Sequence, residues 1–325
     1  MSITISTYLF YFSLQKTLSP GDNLSSSSKQ VEYHFTAKQD VQVCSMVTTE
    51  KFLITGMVGE IVGWNWKSIK SITNPRLDWE IQIPTPKDAL EKPDVNSLIF
   101  DKTKGLLYAG CGDNKIYVFN LESRQLLRTM EGHEDFIHCL HNLGNILASA
   151  SEDGLVKLWD LRQKEPTKSL QPHLKQEVAR PALGKWVGTV ALSEDWLLCG
   201  GGPRLSLWHL RTLDVTTAFN LDDNGIHVAM FYDDRVMAGG ASPHFYHLNY
   251  SGDVYAQVPS SSTTIYSAVY QEFPHKQQPR PLSSVPTLSS KYRERVAGFV
   301  AWIAFNLCWP AYATILTYMV PGHGP

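Results

Sequence analysis

Gly132-His133, Phe136-Ile137-His138-Cys139-Leu140, Ile146-Leu147-Ala148-Ser149-Ala150-Ser151-Glu152-Asp153-Gly154 and Leu155-Val156-Lys157-Leu158-Trp159-Asp160 follow one another in a single stretch. Apolar runs this short, separated by turn residues, predict strands and not helices. The unit is an apolar strand, a turn, a second strand ending in small residues, a tight turn at Asp153-Gly154, and a third strand closed by an aromatic.

Weaker copies surround it. Upstream lie Phe52-Leu53-Ile54-Thr55-Gly56 with Ile61-Val62-Gly63-Trp64, then Leu106-Leu107-Tyr108-Ala109-Gly110-Cys111-Gly112-Asp113 with Ile116-Tyr117-Val118-Phe119. Downstream lie Trp196-Leu197-Leu198-Cys199-Gly200-Gly201 with Leu205-Ser206-Leu207-Trp208, then Arg235-Val236-Met237-Ala238-Gly239-Gly240 with Phe245-Tyr246. The closing aromatics Trp64, Phe119, Trp159, Trp208 and Tyr246 stand at intervals that bracket ~40 to 45 residues, the length of one propeller blade. The Gly-His opening, Ser-x-Ser-x-Asp-Gly middle and Trp-Asp close resemble the WD-repeat family. That resemblance implies an all-β fold, a WD-repeat β-propeller. The family ring has seven blades; the copies here predict about five complete ones, with truncated first and last blades.

The wide intervals hold insertions. Residues 74–94, with Pro75, Pro84, Pro86 and Pro93, and residues 162–185, with Pro166, Pro172 and Pro181, read as loops between blades and as partner-facing surfaces. Residues 8–14 read as a lone strand of the first blade, before the flexible Ser25-Ser26-Ser27-Ser28. Thr264-Ile265-Tyr266-Ser267-Ala268-Val269 opens a last blade that the sequence after Tyr270 does not continue. We therefore expect an incomplete propeller over residues 1–270, a Pro/Ser/Gln-rich linker over 271–290 and a hydrophobic tail over 291–325 that could form a helix. Residues 296–320 carry no charge and follow Lys291, Arg293 and Arg295, so a tail anchor in a membrane is the alternative. Pro310 interrupts that run, which favours a tail unrelated to the propeller.

Composition narrows the function. Over 325 residues, 43% are hydrophobic and 18% charged, enough apolar surface to offset ordering entropy. Lys plus Arg number 29 against 31 Asp plus Glu, a formal charge of −2, which leaves no global field for phosphate. The five cysteines include no CxxC pair, so neither a disulfide framework nor a zinc site is indicated. Residues 1–14 lack the basic start and cleavage site of a secretory signal. An intracellular protein is expected.

His133, Ser149 and Asp153 contain the parts of a nucleophilic triad. No strained G-x-S-x-G turn surrounds Ser149, however. In the WD-repeat family the matching positions form a structural hydrogen-bonded tetrad, here His133, Ser149, Asp153 and Trp159. Gly200-Gly201-Gly202-Pro203 resembles a phosphate loop but lacks the following Lys-Ser or Lys-Thr and helix. His209, His244 and His247 make no recognised ligand set. No catalytic residue, metal or cofactor is predicted.

A second set of residues is more particular: Arg180-Pro181, Gly184-Lys185-Trp186-Val187-Gly188, and Asp195-Trp196-Leu197-Leu198-Cys199-Gly200-Gly201-Gly202-Pro203-Arg204-Leu205-Ser206-Leu207-Trp208-His209-Leu210-Arg211. With Asp135-Phe136-Ile137-His138-Cys139-Leu140 and Ala256-Gln257-Val258-Pro259, this run resembles the THO complex subunit 6 family over about residues 8–270. The resemblance implies a nuclear, non-enzymatic scaffold in the machinery that couples transcription and splicing to mRNA export. Its partners would be other THO subunits, especially the coiled-coil subunits 5 and 7, with RNA reached only through them. One alternative rests on Asp160 and Arg162. Trp159-Asp160-Leu161-Arg162 matches the Trp-Asp-x-Arg ending of substrate receptors of cullin-RING ubiquitin ligases, where the arginine would touch the adaptor.

Overall fold

Apolar runs of four to seven residues between glycine- and aspartate-containing turns are too short for stable helices, and an antiparallel meander satisfies their backbone groups locally. The computed structural model describes residues 6–11, 33–39, 41–71, 75–86, 89, 91–163, 165–221, 224–260, 263–269, 299–304 and 315–320. Strands β1 (Ser6–Tyr11) and β2 (Tyr33–Gln39) pair antiparallel. The first four-stranded blade is β3 (Val43–Thr48), β4 (Phe52–Met57), β5 (Glu60–Asn65) and β6 (Trp79–Gln82), with the short helix α1 (Trp66–Ser71) between its last two strands. The second is β7 (Val95–Asp101), β8 (Leu106–Cys111), β9 (Ile116–Asn120) and β10 (Leu126–Met130). The third is β11 (Ile137–Leu143), β12 (Ile146–Ser151), β13 (Val156–Asp160) and β14 (Pro166–Leu170). The fourth comprises β15 (Val187–Leu192), β16 (Trp196–Gly201), β17 (Ser206–His209) and β18 (Val215–Ala218), and the fifth β19 (Ile226–Tyr232), β20 (Arg235–Gly240), β21 (His244–Asn249) and β22 (Val254–Pro259). A three-stranded sheet follows, from β23 (Ser267–Val269), β24 (Phe299–Ala304) and β25 (Ile315–Val320).

Each blade is buried on both faces because it is sandwiched between two others. Leu107 and Ala109 pack with Ile54 and Trp79 of the first blade, while their neighbour Tyr108 packs with Ile137 and Trp159 of the third. Leu197 likewise joins the interface with the third blade and Leu198 the interface with the fifth. The middle strands consequently read as unbroken apolar runs. Their outermost neighbours, such as β6, alternate buried with exposed residues.

One irregularity repeats in every four-stranded blade. Opposite the second strand, the ladder of the innermost strand skips one residue: Cys44, Asn96, His138, Gly188 and His227 have no cross-strand partner. These are β-bulges, each immediately after a β-branched residue (Val43, Val95, Ile137, Val187, Ile226), and a bulge re-aims the side chain it releases.

The structure departs from the sequence reading in four places. Residues 74–94 and 162–185 are not loops throughout, since each contains the outermost strand of its blade, β6 and β14. Prolines masked them, although Pro166 begins an edge strand where a missing N–H is tolerated. The fifth blade is closed by Leu248 and not by Tyr246: Leu248 stands opposite Val236, as Trp208 stands opposite Leu197. The N-terminal strand has a partner in β2. Within the tail, residues 299–304 and 315–320 form antiparallel strands instead of a helix. Their β-branched and aromatic content suits strands, and β23 offers β24 an edge. The proposed linker at 271–290 lies outside the described residues.

Packing within a blade tolerates little added volume. Trp79 lies flat on Gly63, so a Cβ at that glycine would fall within the indole, whose edge also meets Phe52 at 5.7 Å between centroids. Gly63→Ala is expected to lower stability by about 1 to 3 kcal/mol through overpacking, measured by urea unfolding. An unchanged midpoint would contradict the packing described.

Candidate functional site

The four residues of the predicted tetrad come from different parts of one blade. His133 precedes β11, Ser149 lies on β12, Asp153 occupies the next turn and Trp159 lies on β13. The fold brings them together. Trp159 Nε1–H donates to Ser149 Oγ at 2.8 Å, Ser149 Oγ lies 2.7 Å from His133 Nε2, and His133 Nδ1 lies 2.7 Å from Asp153 Oδ2. An indole only donates and a carboxylate only accepts, so the chain runs one way: Ser149 O–H donates to Nε2, and Nδ1–H donates to Asp153. Asp153 also accepts the backbone N–H groups of Glu134 and Leu155. Burial acts to raise its carboxyl, but the hydrogen bond and electrostatic pull of His133 and these amides outweigh it and hold the pKa at about 2.

This chain contains a Ser–His–Asp sequence of contacts without an accessible nucleophile. Ser149 has no exposed surface, and its lone pair is engaged by Trp159. Chemically the arrangement ties a turn and two strands together; it offers no place for a substrate. The other blades solve the same packing problem differently. In the first, Trp64 Nε1 reaches Thr55 Oγ1 at 3.3 Å. In the fourth, Cys199 occupies the place of Ser149, and Trp208 donates to Ser206 Oγ at 2.8 Å. Where the closing residue has no N–H, as with Phe119 and Leu248, the facing positions are the buried alanines Ala109 and Ala238.

Asp160 and Arg162 are brought together at the end of β13. The Arg162 guanidinium donates from Nε and Nη2 to the two Asp160 oxygens at 2.8 and 2.6 Å, and holds that carboxyl at about 2. The Arg162 side chain is 73% exposed. It borders a groove of about 380 Å³ between the second and third blades, floored by Leu106, Tyr108 and Val118.

The glycine loop of the fourth blade has the opposite polarity from a phosphate cradle. Its carbonyls point at a buried cation: Arg180 donates from Nε to Gly202 O at 2.8 Å and from Nη2 to Gly201 O and Pro203 O, both at 3.1 Å. This anchors the segment leading to Trp186, whose Nε1–H donates to Leu183 O and whose carbonyl accepts Gly202 N–H. The indole lies over Gly188 and Gly225, where a Cβ would come within 2.6 and 2.8 Å of the ring.

From there a row of rings crosses four sheets: His138 and His227 at bulges, Trp186 beside the bulge residue Gly188, and Tyr266 just before β23. His138 meets Trp186 edge-on at 6.4 Å, Trp186 stacks on His227 at 5.4 Å and 21°, and His227 faces Tyr266 at 4.6 Å. His138 Nε2 is 2.8 Å from Glu152 Oε2. Burial, with a smaller contribution from His138, lowers His227 to about 4, so its ring is neutral at physiological pH. Sequence reading quoted His138, Trp186 and Tyr266 in separate runs, passed over His227, and missed the row. The available signal was an aromatic or imidazole directly after Ile137, Ile226 and Ile265.

Three thiols are not activated: burial raises Cys111 and Cys139, and takes Cys199 to about 12. Among the described residues, no group of three His, Cys, Asp or Glu is placed to hold a metal ion. None of their helices is long and apolar enough to cross a membrane.

Repeated four-stranded blades, one of them laced by a His–Ser–Trp–Asp network, define a WD-repeat β-propeller. A WD domain, G-beta repeat model matches residues 124–160. The fold is similar to the RRP9 WD40 repeats, with a TM-score of 0.56 at 17% identity over 68% of this chain and 64% of that one. It is also similar to a chain of the Mitotic Checkpoint Complex, with a TM-score of 0.55 at 19% identity over 67% and 65%. THO complex subunit 6 of Drosophila melanogaster is 39% identical over 243 residues, 74% of this chain and 69% of the relative. The Danio rerio homolog is 38% identical over 78% and 77%, and the Homo sapiens protein 35% identical over 81% and 76%. The chain belongs to the THO complex subunit 6 family.

Replacing Trp159 with Ala is expected to cost about 3 to 5 kcal/mol, as for a fully buried aromatic; chemical denaturation showing a neutral change would remove Trp159 from the blade core. Two acid windows should also separate. His227 has a folded pKa below its ordinary 6.5, so the unfolded chain binds more protons and stability falls as pH drops from about 6.5 to about 4. Asp153 contributes stability that is complete above 3.8 and is lost as pH falls towards about 2. In urea melts at stepped pH, His227→Gln should flatten the upper window and Asp153→Asn the lower; parental slopes in both variants would contradict the assignment.

Proposed function

We propose that this chain is a non-enzymatic WD-repeat scaffold of the THO complex, acting in the nucleus in mRNA processing, splicing and export. The observation that carries the reading is its identity of 35 to 39% to proteins named THO complex subunit 6, spread over about three quarters of its length. The inert interior of the tetrad supports a role without bond-making chemistry. In this reading the propeller grips other THO subunits, in particular the coiled-coil subunits 5 and 7, through apolar and aromatic anchors with a polar surround. The net charge of −2 suits a subunit that leaves RNA to basic partners and needs no cofactor.

The second reading, a substrate receptor of a cullin-RING ubiquitin ligase, draws on the exposure of Arg162. Against it, that guanidinium is already chelated by Asp160, and an adaptor would have to compete for it. Affinity purification of the tagged chain from nuclear extract separates the two. Scaffolding predicts recovery of THO coiled-coil subunits, unchanged in Arg162→Ala. Recovery of a cullin and its adaptor, lost in Arg162→Ala, would replace it.

A further inference from the structure

A shelf of exposed apolar and acidic side chains lies at the end of the blades where the second strand turns into the third. Phe136, just before β11, is 52% exposed there, and Val58, in the turn after β4, is 36% exposed. Asp94 stands between them. It forms an isolated bridge with Val58, and its backbone carbonyl accepts Gly112 N–H at 2.9 Å. A Cβ on Gly112 would stand 3.7 Å from the Phe136 ring and 3.4 Å from Asp94 N, so this bare glycine brings ring and aspartate side by side. Among the described residues no other ring stacks on Phe136.

The free charges beside the ring are of one sign. Asp94 and Glu134 are exposed, and among the described residues neither carboxylate carries a hydrogen bond or an ion pair. Asp135 gives one oxygen to Phe136 N–H, and Asp113 Oδ1 is buried without a partner. Burial, together with the nearby Glu91, raises the Asp94 carboxyl above its ordinary value. The neighbouring cations are engaged elsewhere: Lys115 pairs with Glu131 at 2.8 Å, Lys92 lies over Gly59 near Glu60, and His138 takes Glu152.

We propose that this shelf docks a basic segment of a partner protein, one that carries a large aliphatic side chain between cationic residues. The aliphatic chain covers the open face of Phe136 and the methyls of Val58, while the flanking cations meet Asp94 and Glu134. A single exposed apolar ring is ordinary on a protein surface. Its setting among unpaired carboxylates is what specifies the charge of the partner. A metal ion fits less well, because no group of three carboxylates among the described residues is placed to hold one. Nucleic acid is opposed by the same negative charges. Within the scaffold reading, on which this proposal rests, the shelf decides what a gripped segment must carry.

The test uses the full chain and fluorescence anisotropy with labelled, acetylated and amidated peptides, at low and at physiological salt. The parent probe is Gly-Arg-Arg-Leu-Arg-Arg-Gly. In a second peptide glycine replaces the leucine, and in a third citrulline replaces every arginine, keeping its shape without its charge. The parent should bind best and lose affinity as salt rises. Phe136→Ala should weaken it about fivefold or more, as for an interface residue that carries binding energy. Asp94→Asn and Glu134→Gln, both at exposed side chains, should each cost about two- to fivefold, the range of a solvent-exposed ion pair. Glu122→Gln removes the same charge beyond the opposite end of β9 from the Gly112 turn and should change nothing. Should Phe136→Ala fail to fold by circular dichroism, the two carboxylate variants decide the matter. Equal binding of the glycine or the citrulline peptide, absence of binding by the parent, indifference to a folded Phe136→Ala or to both carboxylate variants, or an equal loss in Glu122→Gln would each overturn the proposal. All are read on the isolated chain, so they stand apart from whether THO subunits co-purify.

Discussion

One steric constraint organises the whole array: a bulky residue on the third strand of each blade must lie over a small residue on the second, facing the blade before it. Trp64 over Thr55, Phe119 beside Ala109, Trp159 over Ser149, Trp208 beside Cys199 and Leu248 beside Ala238 are five versions of that pairing, all buried. The polar chain of the third blade is a consequence of it. Once an indole is chosen as the bulky partner, its N–H must be satisfied, and a buried donor left without an acceptor costs about 1 to 3 kcal/mol. Ser149 accepts it, and His133 and Asp153 then satisfy Ser149. Where Phe or Leu is chosen, the requirement disappears and alanine suffices. The same solid-state logic explains why cysteine is tolerated at position 199: the donor of Trp208 is met by Ser206, directly opposite Cys199, instead.

This constraint is also why so much of the fold is legible in one sequence. The short apolar runs and their glycine-containing ends mark the two middle strands of each blade, because both faces of those strands are buried. The outermost strands face a neighbour on one side and water on the other. Their weak alternation, as in Trp79–Gln82 or Pro166–Leu170, is easily read as loop when prolines stand nearby. Tyr246 misled for a related reason: an aromatic two residues early was given the place of Leu248, since any large side chain can satisfy the packing. In the tail, local hydropathy favoured neither helix nor strand decisively; pairing with β23 is a long-range contact that periodicity does not encode.

The candidate site was legible in proportion to how local its contacts are. His133, Ser149, Asp153 and Trp159 fall within one repeat and were found as a group. Arg180 and the loop Gly200-Gly201-Gly202-Pro203 stood out only as unusual residues, because nothing in their spacing says that one donates to the other's carbonyls. The ring row is less local still. Its members are one per sheet, aligned only when inner strands pack side by side and bulges re-aim His138 and His227.

Arg180 has a further physical consequence. Its buried guanidinium is solvated by three carbonyl dipoles of the glycine loop in a fixed planar fork. Mobile ions cannot reach such an arrangement, so the backbone that carries Trp186 keeps its shape from dilute buffer to concentrated brine. The rim of exposed charges around it has no such immunity. The propeller thus combines a frame indifferent to ionic strength with a surface whose long-range attractions fade as ionic strength rises.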